Sequence, residues 1–419
     1  MIDVLVIGGG ASGLMAAISA ATAGCHVEIL EKMASCGKKI RITGKGRCNV
    51  TTDKTKEEII KSIRRNPRFM YSSLSVFDNN DVKDFFEKHG CPLKVERGER
   101  LFPVSDRAQD VVDVLTREAE KKGVVIHRQM RVTSMHHDEH VFVVEVAGEK
   151  KFVAKSVIIC TGGASYSGTG STGDGYKWLD KLGIRIVDAR PALVPLVAKE
   201  SWIKSLQGLS LKNVCLSIER ENHKSIYLEQ GEMLFTHFGI SGPIVLSASG
   251  HCTDYWRKNN AALIAHIDLK PALSEAQLDK RLLREIEESP NKQYNNLLRR
   301  LMPQKMLPVF IQKTGISGEK ILHQLTKEDR LCVIRHLKDF SFHIDNARSL
   351  EEGIVTAGGV DVKEINPKTM AIKKIEGLFV AGEIIDVDAY TGGFNLQIAF
   401  STGYSAGKAA CQFVHEKEL

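Results

Sequence analysis

The chain has 419 residues, of which 43% are hydrophobic and 26% charged, an ordinary globular balance that excludes disordered and collagen-like chains. Its 58 basic and 51 acidic residues leave a net charge of +7, which suits a phosphate-bearing ligand without demanding nucleic acid. No apolar run approaches the ~18 residues of a membrane helix, and the length implies about two or three domains.

Residues 2–7 form a buried-strand pattern with no basic, apolar leader before it, so no signal peptide is expected. The turn Gly8-Gly9-Gly10-Ala11-Ser12-Gly13 follows, then an alanine-rich helix over 14–23 closed by Gly24, then a strand over 26–30 ending at Glu31 and Lys32. In this βαβ order, Gly8-x-Gly10-x-x-Gly13 predicts a dinucleotide site. The first glycine makes the tight turn, the second admits a pyrophosphate, and the third lets helix and strand pack closely. N–H groups at the helix start, from Ala11 and Ser12 onward, face the phosphates, and Glu31 stands where an acid accepts ribose hydroxyls.

Residues 35–52 read as a long basic, glycine-rich loop, a length that usually marks function. Helical patterns lie near 55–65 and 80–89 and over 106–122, with Val111, Val112, Leu115 and Ala119 on one face. Strands at 124–127, 130–135, 141–146 and 151–159 predict a small meander ending in a buried strand. His136, His137 and His140 sit between two of them, which predicts a solvated hairpin turn and no metal. Val157 to Gly163, with Thr161, Gly162 and Gly163 in its turn, has the form of a strand and ATG-like turn carried by flavoproteins. Thr172-Gly173-Asp174-Gly175 reads as a turn capping the next helix.

Residues 191–270 read as short strands, and 274–340 as nearly all helix, with capping boxes at Ser274–Gln277 and Thr326–Asp329. The basic stretch at Lys280, Arg281, Arg284, Arg299 and Arg300 is blunted by Glu285, Glu287 and Glu288, which argues against a nucleic-acid partner. From 351 the strand and glycine pattern returns. Gly377 to Glu383 has the form of a second flavoprotein signature, in which the acid meets a ribityl chain. Three signatures in this order favour FAD over NAD. Gly392 and Gly393 open a helix through Phe394, Asn395 and Leu396 to about Phe413, whose positive N-terminus would face the flavin pyrimidine.

The nine cysteines contain no C-x-x-C pair. Their odd number in a large chain argues for a reducing compartment, against a disulfide framework and against zinc, so a cytoplasmic, metal-free protein is expected.

The segments GGGASGLMAA, GKKIRITGKGRCNVT, GERLFPVSDRAQDVV, TGGASYSGTGSTGDGY, LFTHFGISGP and GLFVAGEIIDVDAYTGGFNLQIAFSTG together resemble the bacterial NAD(P)/FAD-dependent oxidoreductases of the aminoacetone oxidase family, a group that includes a bile-acid-dehydroxylation reductase. The resemblance spans essentially the whole chain. It implies an α/β fold with a Rossmann-like FAD-binding domain of the glutathione-reductase type, built from 1–190 and 351–419. A β-barrel-like insert would occupy 191–272 and 340–350, and a small helical insert 273–339. It also implies that Lys38, Thr43, Gly44, Arg47, Cys48 and Asn49 lie along the flavin and its phosphates, beside Gly382 and Glu383 of the second signature and Gly393 at the helix start. Arg100, His237 and Tyr390 are candidates for the reacting end of the site. The expected activity is hydride transfer between the flavin and a small substrate or NAD(P)H as a transient donor, with oxygen or an unsaturated compound as acceptor: an oxidase of a small amine or amino ketone, or an NAD(P)H-linked reductase of a conjugated double bond. A tRNA-modifying flavoenzyme and a flavin-binding protein without turnover are the alternatives. No membrane partner is expected, and the oligomeric state stays open.

Overall fold

The structure, a computed structural model, describes residues 1–138, 141–259 and 261–417. The chain divides into two compact units, Met1–Ala192 with Leu350–Leu419, and Leu193–Ser349.

The first unit is built around the strand Ile2–Ile7, five of whose six residues are buried. Burial on both faces suits a parallel strand inside a sheet. It lies between Val27–Glu31 and Lys151–Ile159, with Val4 opposite Val27 and Ile7 opposite Ile159. Leu378–Val380 runs parallel to the far end of Lys151–Ile159. That strand buries alternate residues at first and then every residue from Ser156 to Ile159. The alternating half pairs antiparallel with Val141–Val146, which pairs with Val132–Asp138. The segment expected to start the meander does not join it: Val125–Arg128 runs parallel to Val27–Glu31 at the sheet edge.

The first helix, Ala11–Thr22, packs against the last, Phe394–Lys417. A Cβ on Gly403 would lie 2.4 Å from the Ser12 carbonyl oxygen, and one on Gly407 would lie 2.0 Å from that of Ala16. Only glycine permits this approach.

The segment read as a loop over 35–52 is partly ordered as a short helix, Lys38–Ile42, a 3₁₀ turn and the strand Thr51–Thr52. Helices Lys56–Ser62 and Asn79–Lys88 each begin with a capping box, at Thr55/Glu58 and Asp78/Asp81. Helix Tyr71–Val76, unforeseen from the sequence, lies between them.

The second unit contains a closed six-stranded barrel, in the order Leu196–Ala198, Gly239–Ser241, Ser225–Phe235, Ser210–Arg220, Leu263–Asp268 and Phe340–Ala347. Closure leaves no free sheet edge. Within 191–270, read as strands alone, the structure has the helix Pro243–Trp256, with Pro243 in its first turn after Gly242. The helices Glu275–Glu288 and Lys327–Lys338 start at the expected capping boxes. Barrel and helices share one apolar core that includes Leu216, Phe235, Leu282, Phe310 and Phe340.

Cys25 and Cys411 are joined as a disulfide, 386 residues apart in sequence. The odd count and the spacing argue against a disulfide framework, and this single pair does not make one, since the other seven cysteines are free. Cysteine count and spacing say nothing about two positions that helix packing brings together. Among the described residues no helix is long and apolar enough to cross a membrane.

Candidate cofactor site

The glycine turn is shaped by close backbone approach. Gly8 has φ +107°, and a Cβ there would lie 2.5 Å from the Cys160 carbonyl oxygen. A Cβ on Gly13 would lie 1.9 Å from the Gly8 oxygen, while one on Gly10 would meet nothing within 4 Å. The turn is thus closed toward the sheet and open at Gly10. Helix Ala11–Thr22 has no side-chain cap, so its first N–H groups are available to an anion.

Glu31 is buried at the end of its strand and accepts hydrogen bonds from Gly9 N and Met33 N, each at 2.7 Å. Burial pushes its carboxyl above the ordinary value, against those two donors. Lys32 donates instead to Thr172 Oγ1 at 2.6 Å and Asp174 Oδ2 at 2.9 Å. The turn 172–175 therefore starts helix Asp174–Lys181 without a side-chain cap, Gly173 holding the N-cap at φ +72°. The turn stands at the helix start as expected, with Gly173 as its N-cap, while the side chains of Thr172 and Asp174 hold Lys32.

The second signature meets the first. A Cβ on Gly382, at φ +82°, would lie 2.4 Å from Ser12 Oγ. The carboxylate of Glu383 accepts from Lys39 Nζ at 2.7 and 2.9 Å, Ser165 Oγ at 3.1 Å and Thr356 N at 2.8 Å. Sequence reasoning chose Lys38 and missed Lys39, Ser165 and Thr356. The short helix Lys38–Ile42 turns successive side chains about 100° apart, so only one of the two lysines faces Glu383. Lys38 is half-buried and acts on Glu31 through its charge.

The turn after Ile159 completes this side. A Cβ on Gly163 would lie 2.3 Å from Thr356 Oγ1 and 2.9 Å from Glu383 Oε1. Gly162 stands at φ +72°. Thr161 Oγ1 and the Tyr176 hydroxyl are buried and find no hydrogen-bond partner among the described residues. Burial, with the charges of Glu383 and Asp386, pushes the Tyr176 phenol upward. The opening at Gly10 and the uncapped helix start, together with the orphaned hydroxyls of Thr161 and Tyr176, fit a polar, phosphate- and polyol-bearing cofactor such as FAD.

The start of the last helix is held from the opposite side. Gly393 has φ +92°, and a Cβ there would lie 2.5 Å from the Thr51 oxygen. The Asn49 amide donates to Thr51 O at 2.9 Å and accepts from Gly393 N at 3.0 Å. Asn395 closes the preceding turn, accepting from Ala389 N at 3.0 Å and donating to Ala389 O at 2.9 Å. Phe394 is buried and Leu396 half-buried. The loop before this start is pinned by Arg64 on Asp388 at 2.8 Å, and by Asn66 and Gly358 N on Asp386.

Two expected flavin contacts have other partners, and a third is a buried thiol. Arg47 pairs with Glu96 and with Asp106 at 2.5 Å and lies 4.3 Å over the Phe102 ring, so its charge is already balanced. Thr43 Oγ1 donates to Ile40 O at 2.7 Å. Cys48 is fully buried, and burial pushes its thiol up to about 12, so it stays protonated. Gly44, at φ +56°, is exposed.

Of the candidates for the reacting end, Arg100 donates to Arg97 O at 3.0 Å, and Tyr390 is half-buried, its N–H bonded to Ser62 O. His237 belongs to the second unit and is exposed. His136 and His137 lie on a strand, and His140 is outside the described residues. Among the described residues, Cys25, Cys411 and His415 group closely enough for a metal ion.

The HI0933-like protein Rossmann domain family matches residues 2–409. The chain is 31% identical to a ribosomal RNA dihydrouridine synthase of Escherichia coli K12, over 97% of both chains. It is also 31% identical to a 3-dehydro-bile acid delta(4,6)-reductase of Clostridium scindens, over 97% of this chain and 98% of that one. The structure superposes on 3-ketosteroid delta1-dehydrogenase from Sterolibacterium denitrificans with a TM-score of 0.54 and 11% identity, covering 98% and 99% of the two chains, a likeness of fold.

Proposed function

The chain belongs to the HI0933-like family of Rossmann-type, FAD-binding proteins, and from that premise we propose that it is an FAD-dependent reductase of a carbon–carbon double bond conjugated to a carbonyl. One observation carries this reading. Two relatives, equally similar and matched over nearly their whole lengths, are named for unlike substrates, a ribosomal RNA and a bile acid. Dihydrouridine is uridine saturated across a double bond conjugated to a carbonyl. A 3-dehydro delta(4,6) compound carries double bonds conjugated to its ketone. What the two names share is the reacting group.

FAD supplies the hydride chemistry when bound. The chain's residues do the rest. The Gly8–Gly13 turn and the first helix would hold the pyrophosphate, and Glu31 the ribose. Thr161 and Tyr176 offer their unused hydroxyls to the cofactor's polar chain. The first N–H groups of the last helix would set positive potential against the ring. The net charge of +7 does not choose between the two acceptors, since the basic stretch at 280–300 is blunted by its acids.

The test is anaerobic absorbance of the holoprotein mixed with NADH or NADPH and then with an enone or uridine-containing ribosomal RNA. Bleaching by the nucleotide followed by recovery with the conjugated acceptor is expected, together with a mass gain of two hydrogens in the product. Bleaching only by a small amine or amino ketone, with recovery only in oxygen, would sink the reading and favour an oxidase.

A further inference from the structure

Two cysteines remote in sequence meet outside the cofactor site. Cys25 follows Gly24 at the end of the first helix, and Cys411 lies near the end of the last. Their Cα atoms are 5.8 Å apart and their sulfurs are bonded. His415, exposed one turn beyond Cys411, places Nε2 4.0 Å from the Cys411 sulfur. The other seven cysteines are free. Burial pushes the thiols of Cys36 and Cys91 up to about 11 and those of Cys48 and Cys160 up to about 12. Cys332 faces His336 at 3.7 Å but is itself a free thiol. Among the described residues, only Cys25 and Cys411 join two sulfurs beside a histidine.

We propose that Cys25, Cys411 and His415 form a thiol–disulfide exchange site whose substrate is a low-molecular-weight thiol. Cys25 keeps 7% exposure and Cys411 none, so the incoming thiolate bonds to Cys25. The protein S–S bond breaks, its electron pair leaves on Cys411, and His415 stabilises that thiolate or passes it a proton. A second small thiolate attacks the small-molecule sulfur of the mixed disulfide, the Cys25 thiolate leaves with the electron pair, and the two small thiols depart as one disulfide. The net change oxidises two small thiols to one disulfide and reduces the protein disulfide to two thiols. A low-molecular-weight disulfide closes the site by the reverse path. The bond ties together the C-terminal ends of two helices whose N-terminal ends form the glycine turn and the Gly393 turn, so its state acts on the stability of the FAD-binding unit. The proposal is independent of the reductase reading.

The experiment uses holoprotein purified without reductant and equilibrated in graded ratios of reduced to oxidised glutathione. Alkylation quenches each sample, and peptide masses are read. One linked pair, Cys25–Cys411, is expected, opening in a graded way while the other cysteines stay alkylated throughout. Reduction lowers the melting temperature of the wild type by a few degrees, whereas Cys25→Ser melts independently of the thiol ratio. In a time course of the same alkylation after addition of reduced glutathione, His415→Ala opens about tenfold more slowly without a change in the melting temperature of the oxidised form. Nine alkylated cysteines in the air-equilibrated protein would overturn the proposal. So would an unchanged opening rate in His415→Ala, or a stoichiometric zinc ion held by the three residues.

Discussion

Glu31 shows how one side chain serves both the fold and the site. Its two oxygens hold Gly9 N and Met33 N, which fixes the turn that receives the cofactor. In Glu31→Gln one buried N–H loses its acceptor, at a cost of about 1–3 kcal/mol. FAD binding to the apoprotein, followed by flavin fluorescence, should weaken about 10-fold or more. Lys39 is the counterpart that no motif announced. Lys39→Met removes the cation between both oxygens of Glu383, so FAD affinity should fall, whereas Arg47→Met, whose charge already rests on Glu96 and Asp106, should leave it nearly unchanged. An equal loss in both variants would contradict the assignment. The acid Glu31 was legible because strand, turn and spacing single it out. The partner of Glu383 was not, because the short helix that aims Lys39 is set by packing.

At the scale of elements, the contact of first and last helices depends on Gly403 and Gly407. Gly407→Val would place atoms inside the Ala16 carbonyl, so the helices must separate. A loss of about 1–3 kcal/mol is expected in urea denaturation, with FAD released early in the transition. In the barrel, His266 on Leu263–Asp268 lies 2.8 Å from Asp339. The hydrogen bond to Asp339 raises the His266 pKa despite burial, and the same bond lowers that of Asp339. The aspartate's contribution appears above its unfolded value of about 4 and is lost as pH falls through the lower folded value; the histidine's is complete below about 6.5 and is lost as pH rises through its raised value. His266→Gln should therefore lower the melting temperature at about pH 5.5, by about 0.5–1 kcal/mol equivalent, and change it little at about pH 9. A pH-independent difference would show that the ion pair contributes nothing. The pair itself was illegible beforehand, since its members lie on separate elements that barrel closure aligns.

At the scale of the molecule, the second unit leaves the first at Ala192 and the chain re-enters it at Leu350. Within the first unit Ala192 pairs with Val355, so exit and re-entry are neighbours. Replacing 193–349 by a short glycine–serine linker should leave a folded protein that still binds FAD, as absorbance after gel filtration would show. An insoluble or colourless product would mean that the first unit depends on the second.

The sequence by itself determined the order of the dinucleotide elements, their glycines, the acid at the strand end and the capped helices. Each of these follows from chemistry within a few residues: a positive φ, a close backbone approach, an N-cap or an apolar period. Tertiary structure alone decided which lysine faces Glu383, where the charge of Arg47 rests, that Lys32 is held by Thr172 and Asp174, and that Cys25 meets Cys411. Those pairings join segments tens to hundreds of residues apart, and local pattern carries no information about which side chains packing brings face to face.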